Sequence, residues 1–283
     1  MSRRTEKSFW NPDDIKAQLN TAILGKRLIL FNRITSTNDF LKRLARRGAE
    51  TGTLVIADQQ TAGRGRLGRP WQSPPHVGLW FSFIWRPELP LEFIGALPLA
   101  MAAVVAETLA AISGQTFAVK WPNDILWNQR KVCGILCETQ ISPATNSNRP
   151  DYLVVGIGIN VNQQPQDFHA DWRARAASLR MITAQEVDRQ KVLAELAPRL
   201  EQNLLMNLPS NLPVLLSRWR ALCAELGKRI QLQWARETIT GTFDNIGAGG
   251  ELILRLQNGQ RQAFAAGEVS VFPRIEATTD EML

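Results

Sequence analysis

Short apolar runs alternate with polar islands along most of this chain. Runs of strand length, rich in β-branched and aromatic residues, fall at 27–32, 53–57, 79–85, 116–120, 125–127, 131–140 and 152–161. Helical spacing appears elsewhere. Asn11 followed by Pro12 reads as an N-cap and first helical residue. Ser36 or Thr37 caps a helix whose apolar side holds Phe40, Leu41 and Leu44, and Gly48 ends it. The segment 93–112 reads as a long buried helix. Its apolar stretch 93–106 contains Pro98 and is shorter than a bilayer span. Residues 184–222 read as helical with breaks at Pro209 and Pro213, and 142–150 as a polar connection.

The pattern changes near Gly227. Five short alternating runs follow at 230–234, 238–244, 252–256, 262–265 and 269–272, punctuated by Gly247, Gly249-Gly250 and Asn258-Gly259. This predicts an α/β (α+β) domain over residues 1–226 and a small C-terminal β-barrel over 227–283.

Composition narrows the class. At 283 residues, 45% hydrophobic and 21% charged, the chain is an ordinary soluble globular protein. Its net charge of +7 favours nucleotides, nucleic acid or an acidic protein as partners without choosing among them. Cys133, Cys137 and Cys223 make no disulfide framework and lack a second ligand pair at zinc spacing, so they read as small buried hydrophobes in a reduced, cytoplasmic setting. No apolar segment follows the two N-terminal arginines, so no signal peptide is expected. The two histidines, His76 and His169, stand in no triad context.

The segment Gln60 to Trp71, QTAGRGRLGRPW, is the densest chemical signal. Gly63, Gly65 and Gly68 free the backbone, while Arg64, Arg66 and Arg69 supply planar donor forks suited to phosphate or carboxylate. Arg-Gly segments also occur in flexible nucleic-acid-binding tails, but this one is bracketed by apolar strands. It reads as a cationic flap that closes over an anion and excludes water. Three more polar islands interrupt strands: Ser36-Thr37-Asn38; Lys120 to Asp124 with Lys131; and Gly156 to Asn160. Each alone also reads as an ordinary cap, turn or strand packing. Gly134, Gly156 and Gly158 lack side chains where a ligand would press on backbone, or simply pack strands.

In order and spacing, STN, QTAGRGRLGRPW, KWPNDIL, RKVCGIL and VGIGINVN resemble the biotin–protein ligases over residues 30–272. The resemblance implies a central mixed sheet with flanking helices of class II synthetase type and an SH3-like C-terminal barrel. It implies two reactions. Biotin carboxylate attacks the α-phosphate of ATP to give biotinyl-5′-AMP and pyrophosphate, with Mg²⁺ on the phosphates. A lysine of a biotin carboxyl carrier protein, an acetyl-CoA carboxylase subunit, then displaces AMP. Lys131, Arg64, Arg66 and Asp124 take the catalytic positions. Biotin is expected at Ser36, Thr37, Asn38, Gln60, Gly63, Arg64, Gly65, Arg66, Lys131, Gly134 and Gly156, and ATP at Arg64, Arg66, Arg69, Trp71, Asn123, Lys131 and Asn160.

Within that resemblance Asp124 orients the incoming lysine or sits near the metal, and Trp121 walls the biotin pocket. A lipoate or octanoate ligase or transferase of the related fold is the alternative, and a nucleic-acid binder is a more distant one. Some relatives stack a tryptophan on adenine just before the segment corresponding to Ala176 to Leu179; here that position is alanine, with Trp172 slightly earlier. Bifunctional relatives carry an N-terminal winged helix domain, for which the roughly 30 residues preceding the ligase region are too few. No specific DNA binding and no membrane association are therefore expected. Homodimerisation through a sheet edge, as in some relatives, is open.

Overall fold

A computed structural model describes residues 10–141 and 148–271. The sequence readings on the N-terminal leader, most of the 142–150 connection and Phe272 lie outside the described residues. Two sheets carry the architecture. The larger has seven strands in the order β1-β2-β3-β7-β6-β5-β4. They are β1 (Leu28–Ile34), β2 (Leu54–Gln60), β3 (Gly78–Trp85), β4 (Ala118–Lys120), β5 (Asp124–Trp127), β6 (Arg130–Gln140) and β7 (Tyr152–Asn160). Only β1 and β2 pair in parallel, joined by helix α2 (Thr37–Arg46); every other pairing is antiparallel. The sheet is therefore mixed, as the sequence predicts.

Local signals explain the helices. Helix α1 (Pro12–Leu19) starts with Asn11 Oδ1 accepting from Asp13 N at 3.0 Å and stops at Asn20 in a left-handed conformation. Helix α2 is capped by Ser36, has Asp39 in its first turn and Arg43 and Arg46 in its last, in accord with the helix dipole.

The long apolar segment divides into a 3₁₀ stretch Leu91–Ala96 and helix α3 (Leu97–Ser113). Pro98 lies in the first turn of α3, where its missing N–H costs nothing, so it sets the start of the helix. Together Leu91–Ser113 is long and apolar enough to cross a membrane, which corrects the shorter length read from sequence. It is instead a core helix, packed against α6 (Arg189–Leu200) and α7 (Leu212–Leu222), which follow the short helices α4 (Ala170–Arg173) and α5 (Leu179–Thr183). Pro213 begins α7 rather than breaking a helix, so the sequence reading is corrected there as well.

The two faces of the large sheet differ, and the difference positions the site. Leu54 and Ile56 of β2, Leu79, Phe81, Phe83 and Trp85 of β3, and Leu153, Val155, Ile157 and Ile159 of β7 enter the main core under α3. The alternate positions face the other way. There Val55, Ile84, Tyr152 and Val154 pack on Leu41 and Ala45 of α2. Further along that face the residues are Ser82, Gly134, Leu136, Gly156 and Gly158, which leave a groove beside the helix.

The C-terminal strands β8 (Arg229–Trp234), β9 (Glu237–Ile246), β10 (Leu252–Arg255), β11 (Arg261–Phe264) and β12 (Glu268–Val271) form an antiparallel sheet, ordered β11-β10-β9-β8-β12. Among the described residues β11 and β12 stand at its two ends and do not pair to close a ring. Ile230, Leu232, Phe243 and Leu254 join the same buried core as the large sheet.

Candidate functional site

A cavity of about 630 Å³ opens over the glycine-lined groove. Its wall includes residues from all four polar islands and from the C-terminal sheet: Ser36, Thr37, Asn38, Gln60, Arg64, Gly65, Arg66, Arg69, Trp71, Asn123, Asp124, Lys131, Gly134, Gly156, Asn160 and Gly267 to Val269. Of the site residues read from sequence, Gly63 alone is off this wall. It packs at the flap base, where an added Cβ would lie 2.5 Å from Trp71 O.

At one end a buried polar relay forms. Thr37 N donates to Gln60 Oε1 at 2.9 Å, and Thr37 Oγ1 lies 3.0 Å from that oxygen and 2.6 Å from Ser82 Oγ. Ser82 Oγ donates to Asn38 Oδ1 at 2.6 Å, and Asn38 Nδ2 donates to Glu138 Oε2 at 2.9 Å. Gln60 Nε2 is held by Ser73 Oγ at 3.0 Å. Such a relay fixes donors and acceptors for a polar ring in an otherwise apolar groove. Ser82 and Glu138 escaped the sequence reading. Ser82 carried a signal, being the one hydroxyl in the apolar run LWFSFIW.

The flap arginines have different surroundings. Arg64 pairs with Asp39 and approaches Glu138 at 3.5 Å, beside Lys42, which pairs with the same two carboxylates at 2.9 and 2.7 Å. Its charge is balanced there by those carboxylates, while its side chain still lines the cavity. Arg66 has no ion-pair partner among the described residues. Its Nη1 lies 3.5 Å from Gly267 O, and burial pulls its pKa down, with Asp124 and Glu268 opposing. A desolvated guanidinium without a carboxylate partner is a site for an anion. Arg69 makes a two-pronged contact to Glu268 of the C-terminal sheet, 2.5 Å on each prong, which holds the Glu268 carboxyl below the usual range. At the flap tip Leu67 is 76% exposed with φ +54°.

Lys131 opens the central part of the wall. Its backbone is bound on both sides of segment 175–177: Lys131 N donates to Arg175 O at 2.7 Å, and Lys131 O accepts from Ala177 N at 3.0 Å. Lys131 Nζ lies 2.6 Å from Asp124 Oδ1 and 5.1 Å from the centre of the Trp71 ring. That carboxylate oxygen is shielded from solvent, and Lys131 is its charge partner. Asp124 is held in register by Lys120 of β4 and Gly134 of β6.

Three residues on the cavity wall that the sequence reading singled out also serve within the protein. Asn160 lines the wall, but its Nδ2 donates to Lys131 O at 3.2 Å and Ala177 O at 3.1 Å, and its Oδ1 accepts from Gln163 at 3.1 Å. Offering this amide to a base requires exchanging one of those partners. Asn123 Nδ2 donates to Ile135 O at 2.5 Å and laces the turn to β6. Trp121 sends its indole N–H to Gly250 O of the C-terminal sheet at 2.9 Å.

The glycines of β6 and β7 make room for protein side chains. A Cβ on Gly156 would lie 2.3 Å from Asn38 Oδ1, and one on Gly158 would lie 2.5 Å from Trp71 Nε1. At the far end Phe168, Trp172 and Ala176 form a partly aromatic wall, with Trp172 41% exposed. The thiols of Cys133 and Cys137 are pushed up by burial, the latter to about 12, and are unreactive. Among the described residues no group of three or more His, Cys, Asp or Glu side chains gathers for a metal.

Comparison with known proteins adds a second line. Residues 30–160 match the biotin/lipoate A/B protein ligase family and residues 226–271 the biotin protein ligase C-terminal domain. The chain is 34% identical over 253 residues to the bifunctional ligase/repressor BirA of Bacillus spizizenii, covering 89% of this chain and 77% of that protein. It is 30% identical to the biotin–[acetyl-CoA-carboxylase] ligase of Mycobacterium tuberculosis, covering 94% of this chain and 98% of that one. The biotin protein ligase from Aquifex aeolicus in complex with biotin and ATP superposes with a TM-score of 0.72 at 33% identity, over 87% of this chain and 99% of the other.

Proposed function

The chain belongs to the biotin/lipoate A/B protein ligase family, and from that premise we infer that it activates biotin with ATP and transfers it to a lysine of a biotin carboxyl carrier protein. One observation carries the residue roles: a single cavity joins the Thr37–Gln60 relay, the Lys131–Asp124 pair and Arg66, which has no ion-pair partner among the described residues. The ureido ring of biotin belongs at the relay and its tail runs along Trp71. Its carboxylate meets Lys131, and adenine belongs against the wall of Phe168, Trp172 and Ala176. In the first step a carboxylate oxygen attacks the α-phosphorus and the α–β bridging oxygen leaves with pyrophosphate. Lys131 and Arg66 neutralise two approaching anions in a partly desolvated cleft. In the second step the carrier amine attacks the acyl carbon and AMP departs. The place of Asp124 on the cavity wall beside Lys131 supports a role in orienting that amine.

Asp124 and Glu268 are the carboxylates on the cavity wall that would hold a Mg²⁺ brought by ATP, and such a cation would offset the phosphate charge. The flap and the C-terminal sheet, joined by Arg69 and Glu268, close over the adenylate together. The proposed division at 226/227 thus separates two units that share one site. A reduced, cytoplasmic setting fits the three free cysteines. A homodimer through β1 fits a strand that, among the described residues, stands at the edge of the large sheet.

The test is purified protein with ATP and either biotin or lipoate, then a biotin-acceptor domain. Biotin-dependent pyrophosphate release followed by acceptor labelling is expected; release with lipoate alone selects the alternative. A finer prediction concerns the relay. Thr37→Val keeps the shape and removes one hydroxyl shared by Gln60 and Ser82. Biotin affinity by calorimetry is expected to fall about tenfold, the equivalent of one lost hydrogen bond with a buried partner left unpaired.

A further inference from the structure

Charge balance around the cavity singles out a lysine with no role so far. Arg64 is matched by Asp39 and Glu138, Lys131 by Asp124, and Arg69 by Glu268. Lys120, at the end of β4, lines the same cavity, is partly buried, and has no ion-pair or hydrogen-bond partner among the described residues. Its backbone is placed by its neighbours. Across the hairpin it stands in register with Asp124, and the next residue, Trp121, is anchored to Gly250.

Lys120 also lies toward the C-terminal sheet. Its charge is felt by Glu268, whose carboxyl it helps hold low, and by the buried Glu225. The cavity therefore has three ends of distinct chemistry. A polar relay lies at Thr37 and Gln60, an aromatic wall at Trp172, and a cationic end where Lys120, Arg66 and Arg69 meet Gly267 and Glu268.

We propose that Lys120 binds the β- and γ-phosphates of ATP and holds the departing pyrophosphate. This rests on the biotin-ligase reading and assigns the one end of the cavity that the biotin ring and adenine leave free. As the α–β bridging P–O bond breaks, its electron pair passes to the pyrophosphate oxygen. An ammonium beside that group gains attraction as the charge grows. Glu268 sits at the same end, so binding of the polyphosphate also competes with Glu268 for Arg69 and Lys120. No proton transfer by Lys120 is required.

The experiment compares Lys120→Met, which keeps the stem, with Lys120→Arg, which keeps the charge. For Lys120→Met the KM for ATP and the inhibition constant for inorganic pyrophosphate are both expected to rise about tenfold or more. Biotin affinity and the rate of acceptor labelling from supplied biotinyl-5′-AMP stay at the wild-type level. Lys120→Arg is expected to recover both constants to within about threefold, since a cation of similar reach remains. The proposal is overturned if pyrophosphate inhibition is unchanged in Lys120→Met. It is equally overturned if labelling from supplied adenylate falls as much as the ATP-dependent reaction, because that pattern marks a merely structural lysine. A wild-type protein lacking biotin-dependent ATP–pyrophosphate exchange sinks the ligase reading instead.

Discussion

Replacing Lys131 with methionine is expected to slow biotin-dependent ATP–pyrophosphate exchange by about a hundredfold or more, with the folded state retained. Two effects must be separated. The first is catalytic: Lys131 Nζ stands between the Trp71 ring and Asp124, where the proposed reaction brings carboxylate and α-phosphate together, and loss of one such donor costs about 10²–10³ in rate. The second is structural, because the variant leaves Asp124 without its cation. Both members of that pair are partly solvated, with side chains 33% and 24% exposed, so the loss in stability is held to about 1 kcal/mol. A hundredfold rate loss corresponds to about 2.7 kcal/mol of barrier, which a stability change of that size does not mimic at working temperature. Exchange assays with thermal denaturation alongside decide the matter. A Lys131→Met protein exchanging at more than a tenth of the wild-type rate removes Lys131 from the centre of the chemistry. The double variant with Asp124→Asn is expected to regain stability and no exchange.

Much of this site was legible in the sequence because its chemistry is carried by residues that break a pattern. Glycines in VGIGIN alternate with apolar residues at period two, so one face of β7 is bulky and the other bare. Ser36 announced itself as a cap, and its neighbours came with it. Pairing across long separations was not legible. Nothing local to Arg64 says that Asp39 and Glu138 will balance it, or that Arg69 will reach Glu268 across 199 positions. Asn160 looked free for a ligand because its backbone partners, Lys131 O and Ala177 O, have no sequence signature. Lys120 was in plain view inside KWPND, yet its proposed role rests on its lacking a partner among the described residues, which only the assembled fold reveals. Helix starts erred for a related reason. Pro98 and Pro213 are breakers inside a helix and starters in its first turn, and composition alone does not say which.

The bare face of the sheet leads to the second large effect, expected for Gly158→Val. Gly158 pairs with Gly134 across β6 and β7, and the Trp71 indole lies over both. A Cβ at Gly158 would sit 2.5 Å from Trp71 Nε1 and 2.7 Å from Trp71 Cε2, so the ring has to leave. Valine suits the strand itself, and its backbone remains paired on both sides, so the cost to folding is about 1–3 kcal/mol of overpacking. The functional cost is larger. Trp71 anchors the trailing end of the flap through Trp71 N to Gly63 O at 2.8 Å, stands edge-on to Trp80 and lies beneath Lys131 Nζ. Displacing it moves Lys131 and unseats the flap together, and misplacement of a reacting group by about 1 Å costs about 10² in rate. Adenylate formation is therefore expected to fall about a hundredfold, with adenylate leaking to water from whatever forms. Trp71 fluorescence is masked by the other tryptophans, so trypsin cleavage after Arg64 and Arg66 is the readout of flap order, expected to quicken in the variant. Trp71→Ala in the same background separates the causes: if eviction of the ring is the whole defect, the double variant is no slower than Trp71→Ala alone. A Gly158→Val enzyme of wild-type rate and wild-type cleavage pattern would mean that the indole finds another seat and that the glycine pair is there for strand packing.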